Sequence, residues 1–273
     1  MAFQRGTLPL AAETLESAIN LNGIAVANNL TAFRWGRQLI ADEASVYQAA
    51  GLADVESEPE TLEDIIAFRE TFLTDYQDMA LAVRYRQLVD QAVTAESRLS
   101  GQAGEFSEAV ARGYFKLLAY KDEYEVARLL SHPVFLQSLT DRFEGKAKMH
   151  LHLAPPFLAH PGNASGKRRF GSWILPALRL LSRFKGLRGT VLDVFGYQQE
   201  RRDERALIAD YEKNIAALVS DLAEQNIVTA IAIAELPLAI RGYGHVKQQS
   251  MTEAQTRLDE LLQEFTDPKK EAA

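Results

Sequence analysis

One seven-residue segment, Arg241-Gly-Tyr-Gly-His-Val-Lys247, combines side chains that could do chemistry with a backbone that must turn. Its two glycines break a regular helix, because glycine reaches backbone conformations that other residues avoid. The segment either ends one helix and begins another near its histidine, or forms a loop that contacts an anion or a partner surface. Four side chains supply positive charge, an aromatic ring and a group that titrates near neutral pH: Arg241, Tyr243, His245 and Lys247.

A pair of histidines, His150 and His152, lies within alternating polar and apolar residues at positions 148–153. This alternation predicts a β-strand that places both imidazoles on one face, roughly 6–7 Å apart. Two histidines at this spacing can hold a metal ion only with a third ligand, such as His160, His245 or a distant carboxylate. The other interpretation is a half-exposed strand face, and two histidines alone do not predict a metal site.

Two arginines lie on a helix that Pro176 opens. Helical spacing places Arg179 and Arg183 on one side, and the apolar side chains of Leu178, Leu181 and Phe184 on another. The arginine side is interpreted either as a site for an anion or an acidic partner, or as a basic face exposed to solvent.

The composition excludes several kinds of chemistry. The chain has 273 residues, a net charge of −7 and no cysteine. Without cysteine there are no disulfides, no thiolate nucleophiles and no cysteine ligands for zinc or iron–sulfur clusters. There is also no glycine-rich phosphate loop and no Gly-x-Ser-x-Gly turn, so chemistry alone does not indicate an enzyme.

Charge and hydropathy also limit the partners. The negative net charge argues against a general nucleic-acid binder. No secretory signal is visible, and the longest apolar run, residues 227–240, is too short to span a bilayer. We therefore expect a cytoplasmic protein that binds neither nucleic acid nor membranes. Residues 41–80 contain 11 acidic residues and one basic residue, whereas residues 165–205 contain 10 basic and four acidic residues. Such segments form two solvated faces, meet each other, or meet a partner.

Most of the chain has helical periodicity, with one exception. Residues 148–153 and 168–174 are predicted to pair as a β-hairpin, and residues 51–59 to form an acidic linker. Thr61 with Asp64 is predicted to cap one helix, and Ser107 another. Helices are predicted over residues 13–22, 24–40, 61–95, 107–120, 123–130, 133–145, 198–224 and 246–265.

A series of motifs resembles the C-terminal region of long, fused indolepyruvate ferredoxin oxidoreductases. The resemblance spans roughly residues 105–265, and the order and spacing of the motifs are more specific than any one of them. Residues 21–23 and 33–37 resemble the closing helices of that family's preceding γ-type domain. The motifs are residues 113–130, 152–156 and 208–211, with Phe170-Gly-Ser-Trp173, Lys185-Gly-Leu-Arg-Gly-Thr190, Phe195-Gly-Tyr197, Glu200-Arg-Arg202 and Ile240-Arg-Gly-Tyr-Gly-His-Val-Lys247.

The resemblance implies an activity and its cofactors. Members of that family oxidatively decarboxylate aryl 2-oxo acids such as indolepyruvate to acyl-CoA, and pass the electrons to ferredoxin. They use thiamine diphosphate, a magnesium ion and iron–sulfur clusters. This chain has no cysteine, and its Asn28-Asn29 pair lacks the preceding Gly-Asp-Gly of a thiamine signature. The cofactors and the catalytic residues are therefore expected in other parts of the enzyme, and none in this chain.

The resemblance also suggests how the chain is organised. Residues 1–45 are expected to be tail helices of an incomplete α/β (γ-type) domain, and residues 46–105 an acidic helical connector. Residues 106–273 are expected to form a mainly helical C-terminal domain with a β insert near 148–174. The predicted fold class is thus mainly α: a multi-helix domain with a small β-hairpin insert, preceded by the γ-type helices.

The predicted function is that of an accessory or structural part that is not catalytic alone. Its expected partners are the thiamine-binding, cluster-binding and γ parts of the oxidoreductase, with ferredoxin reached indirectly. The alternatives are a stand-alone module that binds an anion or CoA, and a purely structural fragment. The candidate interface or anion contacts are Arg241, Tyr243, His245, Lys247, His150, His152, Arg179 and Arg183.

Overall fold

Helices make up most of the chain, and the sheet found among the described residues is a two-stranded antiparallel hairpin. This confirms the predicted fold class, mainly α with a small β-hairpin. The computed structural model describes residues 3–4, 10–50, 61–142, 148–153, 168–242 and 244–266. The predicted linker at 51–59 and the predicted helix end at Gly145 lie outside these ranges. The chain divides into two compact units, Met1–Glu58 and Pro59–Ala273.

The first unit leaves its apolar side chains uncovered. Gly23 closes the first helix in the left-handed conformation, with φ of 71°, as its sequence position predicts. No side chain in the helices of this unit is buried, and Leu21, Ile24 and Trp35 are exposed. The helices of its described part are α1 (Ala12–Asn22), α2 (Val26–Ala41) and α3 (Glu43–Ala50).

The second unit continues with helices that are interrupted by the hairpin. Throughout the described ranges, no helix is long and apolar enough to cross a lipid bilayer. The elements are α4 (Leu62–Tyr76), α5 (Met79–Ser100), α6 (Glu105–Leu118), α7 (Glu123–Ser131), α8 (Pro133–Arg142), β1 (His150–Leu153), β2 (Arg168–Gly171), α9 (Leu175–Arg183), α10 (Gln199–Asp221), α11 (Ile227–Ala239) and α12 (His245–Thr266).

The core of the second unit surrounds α6, which packs against α4, α5, α10 and α11. Apolar residues recur along α6 at helical spacing, so that Val110, Tyr114 and Leu117 are buried. Tyr114 lies between two other buried rings, 6.0 Å from Tyr85 and 5.9 Å from Tyr211 between centroids. The three stacked tyrosines therefore join α5, α6 and α10 in one core.

Helices α6 and α11 approach closely at Gly113. A Cβ at this position would overlap the carbonyl oxygen of Ala234 and lie 2.8 Å from the Tyr211 hydroxyl. That hydroxyl donates a hydrogen bond to the same carbonyl at 3.0 Å. Glycine is required here because any side chain would push the two helices apart.

The start of α4 is capped as predicted, but the helix is shorter than predicted. The Asp64 amide donates to Thr61 Oγ1 at 3.2 Å, and the Thr61 amide donates to Asp64 Oδ2 at 3.2 Å. The single helix predicted over 61–95 was wrong. Asp78 accepts a hydrogen bond from the Leu81 amide at 2.9 Å and caps a second helix, so the chain breaks between Tyr76 and Met79.

A buried glutamate on α5 caps the N-terminus of α6. The Glu96 carboxylate accepts hydrogen bonds from the amides of Gly104 at 2.8 Å, Phe106 at 3.0 Å and Ser107 at 2.9 Å. Ser107 Oγ donates to the same carboxylate at 2.5 Å. The prediction that Ser107 caps this helix was therefore wrong, because Ser107 lies in its first turn and acts as a donor.

The hairpin forms as its alternation predicts. Strand β1 pairs antiparallel with β2, with His150 opposite Gly171 and His152 opposite Arg169. Leu151, between the histidines, is buried and packs with apolar residues of α7 and α9 in a second, smaller core. The hairpin and α9 therefore form a layer over α7.

Candidate functional site

The glycines of the 241–247 segment have the backbone conformations that its sequence suggests. Helix α11 ends before the segment and α12 begins at His245. Gly242 and Gly244 have φ of 92° and 56°, in the left-handed region that favours glycine. The predicted turn between two helices is therefore confirmed, with the second helix beginning at His245. The C-cap that the sequence predicts at Gly242 was wrong, because α11 is capped at Ile240. Tyr243 and the side chain of His245 lie outside the described residues.

A lysine from α6 binds the end of α11. Lys116 Nζ donates to the carbonyl oxygens of Leu238 at 3.0 Å and Ile240 at 2.7 Å. Arg241 Nε donates to the Leu238 carbonyl at 3.4 Å. Burial lowers the pKa of Lys116, and the charges of Arg241 and Lys247 lower it further. Cations thus satisfy the carbonyls that the helix leaves free at its C-terminus.

Lys247, at the end of the segment, belongs to a chain of ion pairs. Its ammonium donates to the carboxylate of Glu204 on α10. Glu204 Oε1 lies 4.0 Å from Arg201 Nη1, and Arg201 Nε lies 3.7 Å from Glu123 Oε2 at the start of α7. The turn is therefore connected through α10 to α7.

A cavity of about 290 Å³ lies between the starts of α10 and α12. It brings the 241–247 segment next to the Glu200-Arg-Arg202 motif, two segments that the sequence singles out separately. Its wall includes Glu200, Asp203 and Glu204 on one side, and Gly244 and Lys247 on the other. Three carboxylates face one ammonium, so the lining favours a neutral or cationic group over an anion.

Among the described residues, the most deeply buried ion pair joins Arg188 to Asp122. Arg188 Nε and Nη2 lie 2.5 and 3.0 Å from the two oxygens of Asp122, and both side chains are 3% exposed. Arg188 Nη1 donates to the Tyr76 carbonyl at 2.9 Å, and the guanidinium lies 3.8 Å from the Tyr76 ring centroid. Asp122 also accepts from the Glu125 amide at 2.8 Å, so it caps α7 at the same time.

A second buried carboxylate, Asp193, organises the loop between α9 and α10. It accepts hydrogen bonds from the Gly189 amide at 2.8 Å, the Phe195 amide at 3.2 Å and the Tyr124 hydroxyl at 3.2 Å. Arg205 Nη2 donates to the Gly196 carbonyl at 2.6 Å. The loop is therefore held rigidly against α7 and α10.

The ion pairs and hydrogen bonds around Arg188, Asp193 and Lys247 form one network, and its four cations balance its four carboxylates. Within the described part of the network, Arg201 Nε, Arg205 Nη1 and Glu123 Oε2 are buried without a hydrogen-bond partner. Burial raises the pKa of Glu123, although the charge of Arg201 opposes the rise. Because the charges balance, the network holds the fold together and has no excess positive charge for an anion. Its cations are Arg188, Arg201, Arg205 and Lys247, and its carboxylates are Asp122, Glu123, Asp193 and Glu204.

The remaining predicted site residues lie in the layer of the hairpin and α9. His150 and His152 are exposed on one face of β1, next to Arg169 on β2. No group of three or more histidines, aspartates or glutamates among the described residues is arranged to hold a metal ion. Arg179 and Arg183 are exposed on α9. The predicted residues thus form two groups, one at the 241–247 segment and one on this layer.

Sequence reasoning missed the residues that are most deeply buried in the network. Arg188 occurs in the Lys185–Thr190 motif and Asp193 in the stretch between two such motifs, with no sign of their partners. The only local signal was Asp122 directly before a predicted helix, the position of an N-cap. Their pairing links residues 66 and 69 positions apart, which periodicity does not reveal.

Fold and site together define a mainly α-helical domain built around a buried, charge-balanced network. Residues 62–260, from the start of α4 into α12, match a family described as a family of unknown function, DUF6537. The chain belongs to this family. No curated protein and no solved structure matches the chain.

Proposed function

We propose that this chain is a C-terminal accessory part of an indolepyruvate-type 2-oxoacid:ferredoxin oxidoreductase and is not catalytic alone. As the resemblance implies, that enzyme oxidatively decarboxylates aryl 2-oxo acids to acyl-CoA and passes electrons to ferredoxin. The chain would provide a scaffold for the thiamine-binding, cluster-binding and γ parts that perform the chemistry.

The proposal is carried by one observation: the motifs that resemble this enzyme family contact one another. They lie far apart in sequence, yet they form one buried framework. Residues that hold each other in this way support a domain and its surface instead of binding a substrate. The contacts are Arg188 with Asp122, Tyr114 with Tyr211, and Lys116 with Ile240.

The cofactors of that family fit the other parts better than this chain. An iron–sulfur cluster needs thiolate ligands, and the chain has no cysteine. The Asn28-Asn29 pair has a local role, because the Asn29 side chain donates to the Ile24 carbonyl at 2.9 Å. Thiamine diphosphate, magnesium and the clusters are therefore expected in the parts with which the chain assembles.

Reconstitution tests the proposal. The thiamine-binding and cluster-binding parts are purified and assayed for 2-oxo-acid-dependent dye reduction, with and without the chain. We expect the chain to co-elute with them and to raise the rate, and heat-unfolded chain to do neither. If the folded chain neither co-elutes nor changes the rate, the proposal is wrong.

A second candidate is a stand-alone module that binds an anion or CoA. It is favoured by the exposure of Arg179 and Arg183, neither of which forms an ion pair with another described residue. Calorimetry of the isolated chain with CoA and with free 2-oxo acids decides between the two. Binding heat that disappears in Arg179→Ala/Arg183→Ala supports this candidate, whereas flat traces exclude it.

A further inference from the structure

Residues 168–197 expose an unusual amount of apolar surface. This segment comprises β2, α9 and the loop that Asp193 organises, all packed over α7. Trp173 is 71% exposed and Val191 is 84% exposed. Side chains of this kind, close together on one segment, mark a surface that contacts something. The exposed large apolar residues of the segment are Trp173, Leu180, Phe184, Val191, Leu192, Val194 and Tyr197.

The same segment is strongly positive at its surface. It has six basic residues and one acidic residue, and the acidic residue, Asp193, is buried. The segment thus contributes +5 to a chain of net charge −7, so the other residues together carry −12. Lys185 donates to the Asp75 carbonyl at 2.5 Å and Arg188 is paired. The other four basic residues are exposed and form no ion pair with any described residue: Arg168, Arg169, Arg179 and Arg183.

Helix α9 arranges these two kinds of side chain side by side. Leu178 and Leu181 face α7 and the hairpin in the smaller core. Phe184 was predicted to share the side of Leu178 and Leu181, but it is exposed, so that prediction was wrong. On the outside, Leu180 of α9 forms an exposed apolar stripe with Trp173 and Phe184, which lie in the short 3-10 turns before and after the helix. Arg179 and Arg183, one turn apart, form a cationic stripe directly beside it. The helix therefore has a second amphipathic surface outside the core.

The loop that extends this surface is rigid before anything binds. Asp193 accepts from two loop amides and from Tyr124, and the Tyr197 hydroxyl donates to the Val191 carbonyl at 2.8 Å. The Leu192 amide donates to Thr190 Oγ1 at 3.2 Å. A loop already held in one conformation loses little conformational entropy on docking. More of the free energy gained by burying its exposed apolar side chains therefore remains as binding affinity.

We propose that the α9 face docks an acidic protein surface with an apolar centre, on the catalytic parts of the oxidoreductase. The α9 face consists of Trp173, Leu180, Phe184, Arg179 and Arg183, extended by Val191, Leu192, Val194 and Tyr197. This inference rests on the proposed function and adds which surface of the chain makes the contact. The partner surface must present carboxylates around an apolar patch, because Arg179 and Arg183 have no counter-charge among the described residues.

Composition and charge select a protein as the occupant. Protein interfaces are enriched in tryptophan, tyrosine and arginine and depleted of lysine, aspartate and glutamate, which describes the α9 face. In a symmetric dimer through this face, a second copy of the chain would bring the same cationic stripe and be repelled.

Binding of matched variants tests the proposal with the full-length chain. The purified thiamine-binding and cluster-binding parts are immobilised, and Kd is measured by interferometry at low and high salt. The face variants are Arg179→Glu/Arg183→Glu and Leu180→Ser/Leu192→Ser. Their controls are Arg98→Glu, an exposed arginine of α5 without an ion pair to a described residue, and Val228→Ser, 77% exposed on α11. Unchanged thermal unfolding of every variant establishes that each is folded.

We expect each face variant to raise Kd at least about tenfold, since exposed contacts at an interface centre are worth that much. The controls should stay within about twofold of wild type, and salt should weaken wild type more than the charge-reversed variant.

If wild type binds and the face variants bind equally well, the α9 face is excluded while the proposed function stands. If folded wild type does not bind the thiamine-binding and cluster-binding parts at all, both the proposed function and the docking proposal are wrong. Binding to vesicles with 30% phosphatidylserine that the face variants lose would overturn the assignment to a protein partner.

Discussion

Arg188 and Asp122 are each 3% exposed, and both have lost their hydration in the folded protein. Such a pair adds little stability compared with an apolar pair, because desolvation offsets most of the attraction. Removing one partner is different, since the other charge is then buried alone. The same side chains also hold the Tyr76 carbonyl and the start of α7, so the pair joins three elements.

Arg188→Met should destabilise the protein by about 3–5 kcal/mol, because it leaves the Asp122 carboxylate buried without its counter-charge. Adding Asp122→Asn should recover part of the loss, since the amide keeps the cap on α7 without a charge. Denaturant unfolding measures both. Arg257→Met, which breaks an exposed pair with Glu260, is the control and should change stability by less than about 1 kcal/mol. Equal losses in Arg188→Met and the control would contradict the argument.

Glu123 predicts a pH dependence of stability. Burial raises its pKa, so the folded state holds the proton more tightly than the unfolded state. The protonated carboxyl therefore stabilises the fold relative to the ionised form, and this stabilisation is lost as pH rises through the window above the ordinary pKa of glutamate. Glu123→Gln does not ionise. Relative to wild type, we expect this variant to gain stability between about pH 4 and pH 7, measured by denaturant unfolding at each pH. A constant difference across that range would contradict the assignment.

The site residues that the sequence identified were those with a local signal. The two glycines of the 241–247 segment were recognised because a positive φ favours one residue type, and the structure confirms both. His150 and His152 were placed correctly on one strand face because strand alternation is local. Arg188 and Asp193 were missed, since only the folded chain brings their partners near. No pattern in the sequence indicates which distant carboxylate an arginine will meet.

At the scale of elements, apolar periodicity in the sequence identifies helices. It does not reveal a break between two helices when the apolar spacing continues across the break. Helix α10 and the β-hairpin were predicted closely because each has a long or alternating apolar pattern. The break before α5 was missed, because two residues hardly disturb the apolar spacing of 61–95. The cap of α6 was assigned to Ser107, whereas Glu96 supplies it from the preceding helix across eight residues. Caps supplied by another element depend on packing, which local sequence rules do not contain.

The packing of α6 against α11 gives a prediction for Gly113. Gly113→Ala would place a Cβ onto the Ala234 carbonyl and against Tyr211, so the helices must separate. We expect a loss of about 1–3 kcal/mol, as for overpacked cores, seen as a lower Tm by circular dichroism. Gly186→Ala is the matched control, because its Cβ meets nothing within 4 Å. A stable Gly113→Ala variant would mean that α11 can shift without cost.

At the scale of the whole molecule, the two units differ in what they bury. The described core begins at α4 and continues into α12, so all of it belongs to the second unit. The helices of the first unit bury no side chain and expose Leu21 and Trp35. The family match likewise begins at residue 62. The second unit thus has what a domain needs to fold alone.

Deleting residues 1–58 should leave the stability of the second unit unchanged. Because its core comes from residues 59–273, we expect a Tm within about 2 °C of the full chain by calorimetry. Residues 1–58 alone should show no cooperative transition, since the described helices of this unit bury no side chain and expose little further surface on heating. A drop of more than about 8 °C in the shortened chain would show that the first unit stabilises the second.

The contact between Lys116 and the end of α11 also sets an order in time. Lys116 and Leu238 are 122 residues apart in sequence. Helix α6 therefore leaves the ribosome long before the carbonyls that Lys116 binds. At 5–20 residues per second, this interval is on the order of 10 s. During it, α6 can pack with α4 and α5, while the groove at Gly113 that later receives α11 stays open to other apolar segments. That groove is therefore a surface that a growing polypeptide must keep from aggregation until α11 has been made.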